Sequence, residues 1–391
     1  MIRKFLFIFL VIYNVVNAAV SELSLFKKYE TLQSKLPYIK FCDLPTPIVK
    51  LEHLGKYIGC KNLFMKADYL TGKKEADGSH LYGGNKPRKL EFLLADARSK
   101  GKETIITYGC AGSQHALATA VYAKEMGFKK SILMLKDQPN SPIVRHNLLL
   151  DYYIGVELRF FINNKERGLA AEEILKSDNR AYLIPTGGSN EIGTIGFVNA
   201  AFELAEQIDQ ELIKEPDFIY IPIGSCATTA GLLLGIQVAG VKSKVIAVAV
   251  EPEEVEDEFY LKTKELFEKS NKYLNSLDES FKIESFPEDK LIVNKKFSGI
   301  QYGLVTKEAS DAMCLVNKIE GIKLEGTYSA KPIAAIMDDI ANDVIKDGTV
   351  LFWNTFCGID YSYLTKSVDY KKLPVEFHKY FEEDVQPLSK Y

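Results

Sequence analysis

The chain reads as an α/β protein built from two open α/β sheet domains, and three observations carry that reading. From about residue 103 onward, short β-branched runs alternate with longer segments of helical apolar spacing, the pattern of βαβ units. Runs such as IAVAV (246–250) and YIPIG (220–224) are apolar on both faces, as strands of a parallel sheet covered on both sides must be. Gly-rich junctions recur where strand gives way to helix, which is where open α/β sheets place their ligands.

The elements follow in order. ETIITYG (103–109) reads as a strand, HALATAVYAKEMGF (115–128) as a helix and KSILMLK (130–136) as a strand. IVRHNLLLDYYIG (143–155), VELRFF (156–161) and RGLAAEEILK (167–176) continue the alternation, and AYLIPTGG (181–188) ends a strand in a turn. TIGFVNAAFELAEQI, DFIYIPIG, TTAGLLLGIQVAG and KVIAVAVE extend it through residue 251, and GTVLFWNTF (348–356) adds a late strand. Residues 253–290 break the rhythm. They are charged, with apolar positions at helical spacing, and predict surface helices. The alternation suits two intimately packed α/β domains rather than separate units in a row.

Composition narrows the function. The 391 residues are 47% hydrophobic and 26% charged, with a formal net charge of −3 and no basic block, which leaves no footprint for nucleic acid. The six cysteines are scattered without a C-x-x-C pair, so no metal site is indicated, and they suit a core of free thiols. Neither a GxGxxG fingerprint nor a P-loop lysine is present. At the start, Arg3 and Lys4 precede FLFIFLVIYNVV and the small residues near Ala18, the pattern of a secretory signal peptide over residues 1–18. That pattern predicts an exported protein without a membrane span in its mature form. The alternative is a cytoplasmic enzyme with an apolar N-terminal helix, and the free thiols lean that way.

Four stretches can carry chemistry. In IPIGSCATTAGL the strand ends at Gly224-Ser225 and a helix is expected near Thr229, so free N–H groups, the helix dipole and the hydroxyls of Ser225 and Thr228 suit a phosphate. A tight turn with a Ser/Thr cap has the same look. In TYGCAGSQHALATA, Ser113, Gln114 and His115 open a helix at a strand end; they can hold a carboxylate or a phenolic oxygen, though Ser113 suits an N-cap and His115 a buried structural role. IPTGGSNEIGTIG (184–196) is a third turn of this kind. Finally, LYGGNKPRKLEF (81–92) presents Lys86 between Gly-Gly-Asn and Pro87 at a helix start. The dipole there disfavours a protonated amine, and a neutral amine can form a Schiff base. Pro87 biases Lys86 toward extended geometry. Lys89 lies one turn on along the same face. Arg88 reads as a solvated cation.

Six motifs in order, GGNKPRKLEF, GSQHALATA, IPTGGSNEIGTIGF, GSCATTAGL, QYGLVTKEA and EGTYSAKPI, resemble the 1-aminocyclopropane-1-carboxylate deaminase/D-cysteine desulfhydrase family. These are pyridoxal-phosphate enzymes of fold type II, the tryptophan-synthase-β-like fold, and the resemblance runs from about Leu44 to about Leu364. It implies pyridoxal 5'-phosphate as cofactor, a small amino acid as substrate and a homodimer, with a larger cofactor-binding domain over residues 19–90 and 196–391 and a smaller one over residues 91–195. Lys86 matches the Schiff-base lysine and Lys89 the lysine that contacts the phosphate. Gly224, Ser225, Cys226, Ala227 and Thr228 match the phosphate cup, and Asn85 stands among the cofactor contacts. Ser113, Gln114 and His115 match the segment holding the substrate carboxylate and the phenolic oxygen. Tyr302 and Tyr328 match two active-site tyrosines, and Ser329 the residue facing the pyridine nitrogen.

The resemblance implies α,β-elimination giving a 2-oxo acid, ammonia and sulfide. Ring-opening deaminases of the family carry a carboxylate where Ser329 stands, so this chain leans toward the desulfhydrase. Ring-opening deamination, racemization and cofactor binding with little turnover are the alternatives. Gln114 for the usual asparagine, Cys226-Ala227 in the cup, Ser329-Ala330 and WNTFCG depart from the family pattern around the cofactor, which puts the substrate in question more than the cofactor.

Overall fold

The computed structural model describes residues 23–74 and 80–389, so the segment read as a signal peptide lies outside the described residues. Among the described residues, ten strands form two sheets. The larger contains β1 (Ile48–Lys50), β2 (Leu63–Lys66), β7 (Phe218–Ile223), β8 (Lys244–Ala249), β9 (Leu291–Asn294) and β10 (Val350–Trp353), in the order β1-β2-β10-β7-β8-β9. The smaller contains β3 (Thr104–Cys110), β4 (Lys130–Lys136), β5 (Glu157–Phe161) and β6 (Ala181–Ile184), in the order β5-β4-β3-β6. Every pairing is parallel except that of β1 with β2. Parallel strands need crossover helices, and these cover both faces of each sheet, which is why β7 and, after Lys244, β8 are apolar and buried along most of their length.

Apolar side chains cover both faces of the large sheet. Phe197, Leu232, Phe267 and Trp353 belong to one core; Leu54, Met65, Ile333 and Phe352 belong to the other. The small sheet has its own core, including Leu133, Leu135, Val144 and Leu148. Between the two bodies runs the helix Lys86–Ser99, packed against helices Glu191–Asp209 and Gln114–Glu125. Eleven of its 14 residues are buried, so a single helix carries side chains toward both sheets.

Three sequence expectations need revision here. The resemblance implies that the chain after residue 370 belongs with the larger domain, but Leu373, Phe377 and Tyr380 pack into the core of the small sheet. Gln386 then ties the two bodies together. Its backbone N–H donates to the Asn140 carbonyl (3.0 Å), while its side chain donates to the Gly303 carbonyl (3.0 Å) and accepts from the Val305 N–H (2.9 Å). Residues 253–290 contain one long α-helix, Glu258–Leu277, whose Phe259, Phe267 and Leu274 enter the core, rather than several surface helices. The helix near Thr229 starts earlier, at Ala227, because Cys226 turns the chain with φ 70°.

Candidate active site

A cleft of about 1270 Å³ opens between the bodies, lined from one side by Asn85, Lys86, Glu325, Tyr302 and Tyr328 and from the other by Ser113, Gln114 and His115. Its floor is the start of the helix Lys86–Ser99. Gly84, at φ 89°, lets the chain turn beneath Thr355: a Cβ there would meet the Thr355 carbonyl at 2.7 Å. The Asn85 N–H donates to that same carbonyl (3.1 Å), and the Gly83 N–H to the Cys357 thiol (3.2 Å). These contacts hold Asn85 in helical geometry (φ −74°, ψ −15°), and the helix begins at Lys86 itself. The extended geometry expected of Lys86 before Pro87 is therefore not found. A pre-proline bias is a preference, and the packed turn overrides it.

The two lysines differ from the arginine between them. Burial pushes the Lys86 amine down to about 8, partly offset by the Glu325 carboxylate. Lys86 Nζ stands 5.9 Å from the centroid of the Tyr328 ring. Lys89 is 1% exposed, and its Nζ donates to the Gly187 carbonyl at 3.1 Å. Burial first and Lys86 second hold its amine well below the ordinary lysine value. Arg88 is not the solvated cation expected. It is 1% exposed and points the opposite way, into a cage where Nε and Nη2 bond Asp68 (3.0 and 2.7 Å) and Nη1 bonds Glu203 (2.9 Å). Lys66 joins it, donating to Glu203 at 2.6 Å.

Around Lys89 the donors gather. Gly187, at φ 66°, lies so close to Ser225 that a Cβ on it would fall 1.9 Å from Ser225 Oγ, so the turns 186–188 and 224–226 meet. Gly224 and Ser225 line the cleft, and the positive φ of Cys226 starts the 13-residue helix Ala227–Ala239. The first N–H groups of a helix have no partner within it, and a turn of this kind makes a concave anion nest. Asn85 is tied to this turn, its Nδ2 donating to Thr228 Oγ1 at 3.1 Å. Two members of the expected cup contribute differently. The Cys226 thiol turns away from the cleft toward the carbonyls of Gly224 (3.4 Å) and Phe259 (3.8 Å), and the Ala227 N–H already donates to Ser225 O (3.0 Å).

On the opposite wall Ser113 caps the helix Gln114–Glu125, its Oγ accepting from the Ala116 N–H at 3.2 Å. His115 is 4% exposed, with Nε2 3.0 Å from Thr107 Oγ1. Burial holds its imidazole well below the ordinary value, with Lys86 and Lys89 adding to the effect. Above Lys86 the hydroxyls of Tyr328 and Tyr302 are 3.2 Å apart, and burial raises both phenols. Ser329 is fully buried beneath Tyr328. Its Oγ accepts from the Glu325 N–H (2.9 Å), and Glu325, not Ser329, lines the cleft. The Glu325 carboxylate accepts the N–H groups of Thr327, Tyr328 and Ser329 (2.9, 2.6 and 2.8 Å), fixing the turn that presents Tyr328. Sequence reasoning missed this residue. Its one signal is an acidic residue three positions before Tyr328.

The residues present fit a flat anionic cofactor. Lys89 is a buried amine with no carboxylate acting on it among the described residues, and next to it lies a helix N-terminus without a side-chain cap. His115 Nδ1 and Ser189 Oγ, both from cleft-lining residues, are buried polar atoms without a hydrogen-bond partner among the described residues. Each would cost about 1–3 kcal/mol if left unsatisfied. A phosphate beside Lys89 and a ring with polar substituents above Lys86 would satisfy such a set.

Comparison with known proteins agrees with this chemistry. The family model described as "Pyridoxal-phosphate dependent enzyme" matches residues 39–355. A Pyrococcus furiosus protein bearing the provisional name 1-aminocyclopropane-1-carboxylate deaminase is 31% identical over 317 residues, covering 80% of this chain and 89% of its own length. D-Cysteine desulfhydrase of Serratia proteamaculans is 30% identical over 335 residues, covering 83% and 96%. The solved structure of an ACC deaminase homologue is 31% identical and superposes with a TM-score of 0.69, covering 84% of this chain and 93% of that one.

Proposed function

The chain belongs to the pyridoxal-phosphate dependent enzyme family, and from that premise we propose that it is a lyase/deaminase of small β-substituted amino acids, of the D-cysteine desulfhydrase kind. The reaction is α,β-elimination to a 2-oxo acid and ammonia, with sulfide as the leaving group when the substrate is cysteine. The observation that carries the reading is the pair of buried lysine amines on one helix start, both held below the ordinary lysine value, one in the cleft and one against an anion nest.

When bound, pyridoxal phosphate supplies a carbonyl carbon for amines and an electron sink for charge left at the substrate α-carbon. The chain supplies the rest. Lys89, Ser225 and the N–H groups of Thr228 and Thr229 at the start of the helix Ala227–Ala239 would hold the phosphate. Lys86 Nζ, neutral above about pH 8, takes the proton from the α-carbon and returns it. Ser113, Gln114 and His115 receive the substrate carboxylate. The Tyr302 and Tyr328 hydroxyls stay protonated and form a short relay above Lys86. Ser329 does not line the cleft, so the preference for elimination over ring opening draws on the likeness to D-cysteine desulfhydrase.

Ring opening of 1-aminocyclopropane-1-carboxylate is the second reading. It draws on the name of the Pyrococcus relative and on Glu325, the cleft-lining carboxylate that acts on Lys86. Incubating the holoenzyme with D- and L-cysteine, serine and 1-aminocyclopropane-1-carboxylate separates the two. Sulfide and pyruvate from cysteine are expected; 2-oxobutanoate from the cyclopropane alone would reverse the order, and inverted amino acid alone would make the enzyme a racemase.

Two further points belong to the same reading. The family resemblance supports a homodimer, which light scattering tests against the 44.0 kDa chain mass. The basic and apolar start of residues 1–18 supports export, and an intact Met1 in protein from the native cell would contradict it.

A further inference from the structure

The cleft contains a cation that none of the roles above uses. Arg167 lies on the helix Asn164–Ser177 of the small body and lines the cleft, yet it is only 8% exposed. Its Nη1 donates to the Gly109 carbonyl (3.1 Å) and its Nη2 to Asn164 Oδ1 (2.9 Å). The guanidinium carbon stands 4.5 Å from the centroid of the Tyr108 ring. The ionisable groups that act on it are Cys110 and Tyr108, neither of them a carboxylate, and burial pulls its ionisation down. Arg88, more deeply hidden at 1% exposed, has two carboxylates in direct contact. A guanidinium carries five N–H donors in a planar fork, so two bonds leave most of the fork unengaged.

The position of Arg167 says what it is for. The Gly109 carbonyl that it grips belongs to the end of β3, just before the turn to Ser113, and a Cβ on Gly109 would fall 2.5 Å from Ser113 Cβ. Arg167 and the Ser113–His115 turn therefore share one wall of the cleft. The opposite wall carries Glu251 and Glu258, whose cationic neighbours are Lys136 and Lys262. An arginine so placed, backed by an aromatic face, suits a carboxylate, sulfonate or phosphate held by two parallel hydrogen bonds.

We propose that Arg167, backed by Tyr108, is a second anion-binding subsite of the cleft, and that the substrate is an amino acid with an anionic side chain. The proposal rests on the amino-acid lyase reading and sharpens it: the reaction stays, and the β-substituent becomes an anionic group.

The test compares the holoenzyme with Arg167→Gln and Arg167→Lys on serine, O-phosphoserine and cysteine, each in both configurations. Turnover and the amino-acid-induced change in the cofactor absorption band are both recorded. The native enzyme should prefer O-phosphoserine to serine of the same configuration. Arg167→Gln should raise KM for O-phosphoserine about 10- to 100-fold more than KM for serine, with kcat little moved, and Arg167→Lys should recover part of that difference. Turnover of cysteine without any preference for O-phosphoserine would overturn the subsite and leave the lyase reading standing. So would an equal loss on all substrates in both variants with a lowered thermal midpoint, which marks a structural arginine. If Arg167→Gln does not fold, Arg167→Lys decides through its KM ratio alone. No spectral response to any amino acid would overturn the subsite and the lyase reading together.

Discussion

Arg88 and Lys89 are neighbours on one helix and equally hidden from water, each 1% exposed, yet their surroundings differ completely. Arg88 enters a cage in which Asp68 and Glu203 answer both it and Lys66, with Thr46, Gln207 and Trp353 satisfying the remaining lone pairs and protons. Lys89 and Lys86 face the other way: Lys89 donates to the Gly187 carbonyl, and Lys86 feels the Glu325 carboxylate without forming an ion pair among the described residues. Burying an ion costs several kcal/mol, and direct charge pairing offsets that cost on the Arg88 side, whereas Glu325 offsets it only in part for Lys86. The difference separates structure from function. A buried cation with its anions in place holds the fold, and one without them awaits a ligand.

Substitutions on the two sides should have opposite signatures, and the largest expected effect falls on the unpaired side. Lys86→Ala should lower turnover on the order of 10⁴-fold while leaving the thermal midpoint of the apoprotein intact or raised. A variant retaining near-native turnover would merge the two classes of cation. On the paired side, Arg88→Met strips two buried carboxylates of their partner. It should destabilise the protein by about 3–5 kcal/mol in denaturant titration. A loss under about 1 kcal/mol would mean that the cage does not depend on it.

Lys89→Met comes next in size. It removes an uncompensated charge, so the apoprotein should be no less stable, but pyridoxal phosphate should bind about 10- to 100-fold more weakly in a spectroscopic titration. Weakened folding with unchanged cofactor affinity would place Lys89 with Arg88. The smallest effect is a shift in titration. In the apoprotein, acylation of Lys86 followed by mass spectrometry should reach half its limiting rate at about pH 8, whereas surface lysines respond near the ordinary value of about 10.4. Burial lowers this amine and Glu325 opposes it, so Glu325→Gln should move the midpoint further down. A midpoint that rises in that variant would contradict the assigned sign.

Features set by short stretches of chain were the legible ones. The alternation of apolar runs with helical spacing marks strands β3–β8 and β10, and Gly-Gly-Asn before Lys86 marks a special helix start. What escaped was set by partners far along the chain. Arg88 reads as solvated because its carboxylates lie 20 and 115 residues away. Arg167 reads as an ordinary helix residue, since nothing local tells that its helix turns it under Gly109. The orientation of the Cys226 thiol and the interposition of Glu325 before Ser329 depend on backbone geometry at single turns. The strap after residue 370 lacks a long periodic segment, so its docking on the small sheet has no pattern to read.

The central claim is that the unpaired face of this helix, and Lys86 in particular, meets the cofactor. Borohydride reduction of the purified holoenzyme followed by peptide mapping tests it most directly. The account predicts one pyridoxyl group per chain, on Lys86. Lys331 is a fair competitor, since it is fully buried and its amine is also lowered to about 8, but its Nζ is already held by the carbonyls of Val250 (2.7 Å) and Ser298 (2.8 Å). A label on Lys331 or Lys89 with Lys86 unmodified, or no label at all, would contradict the account.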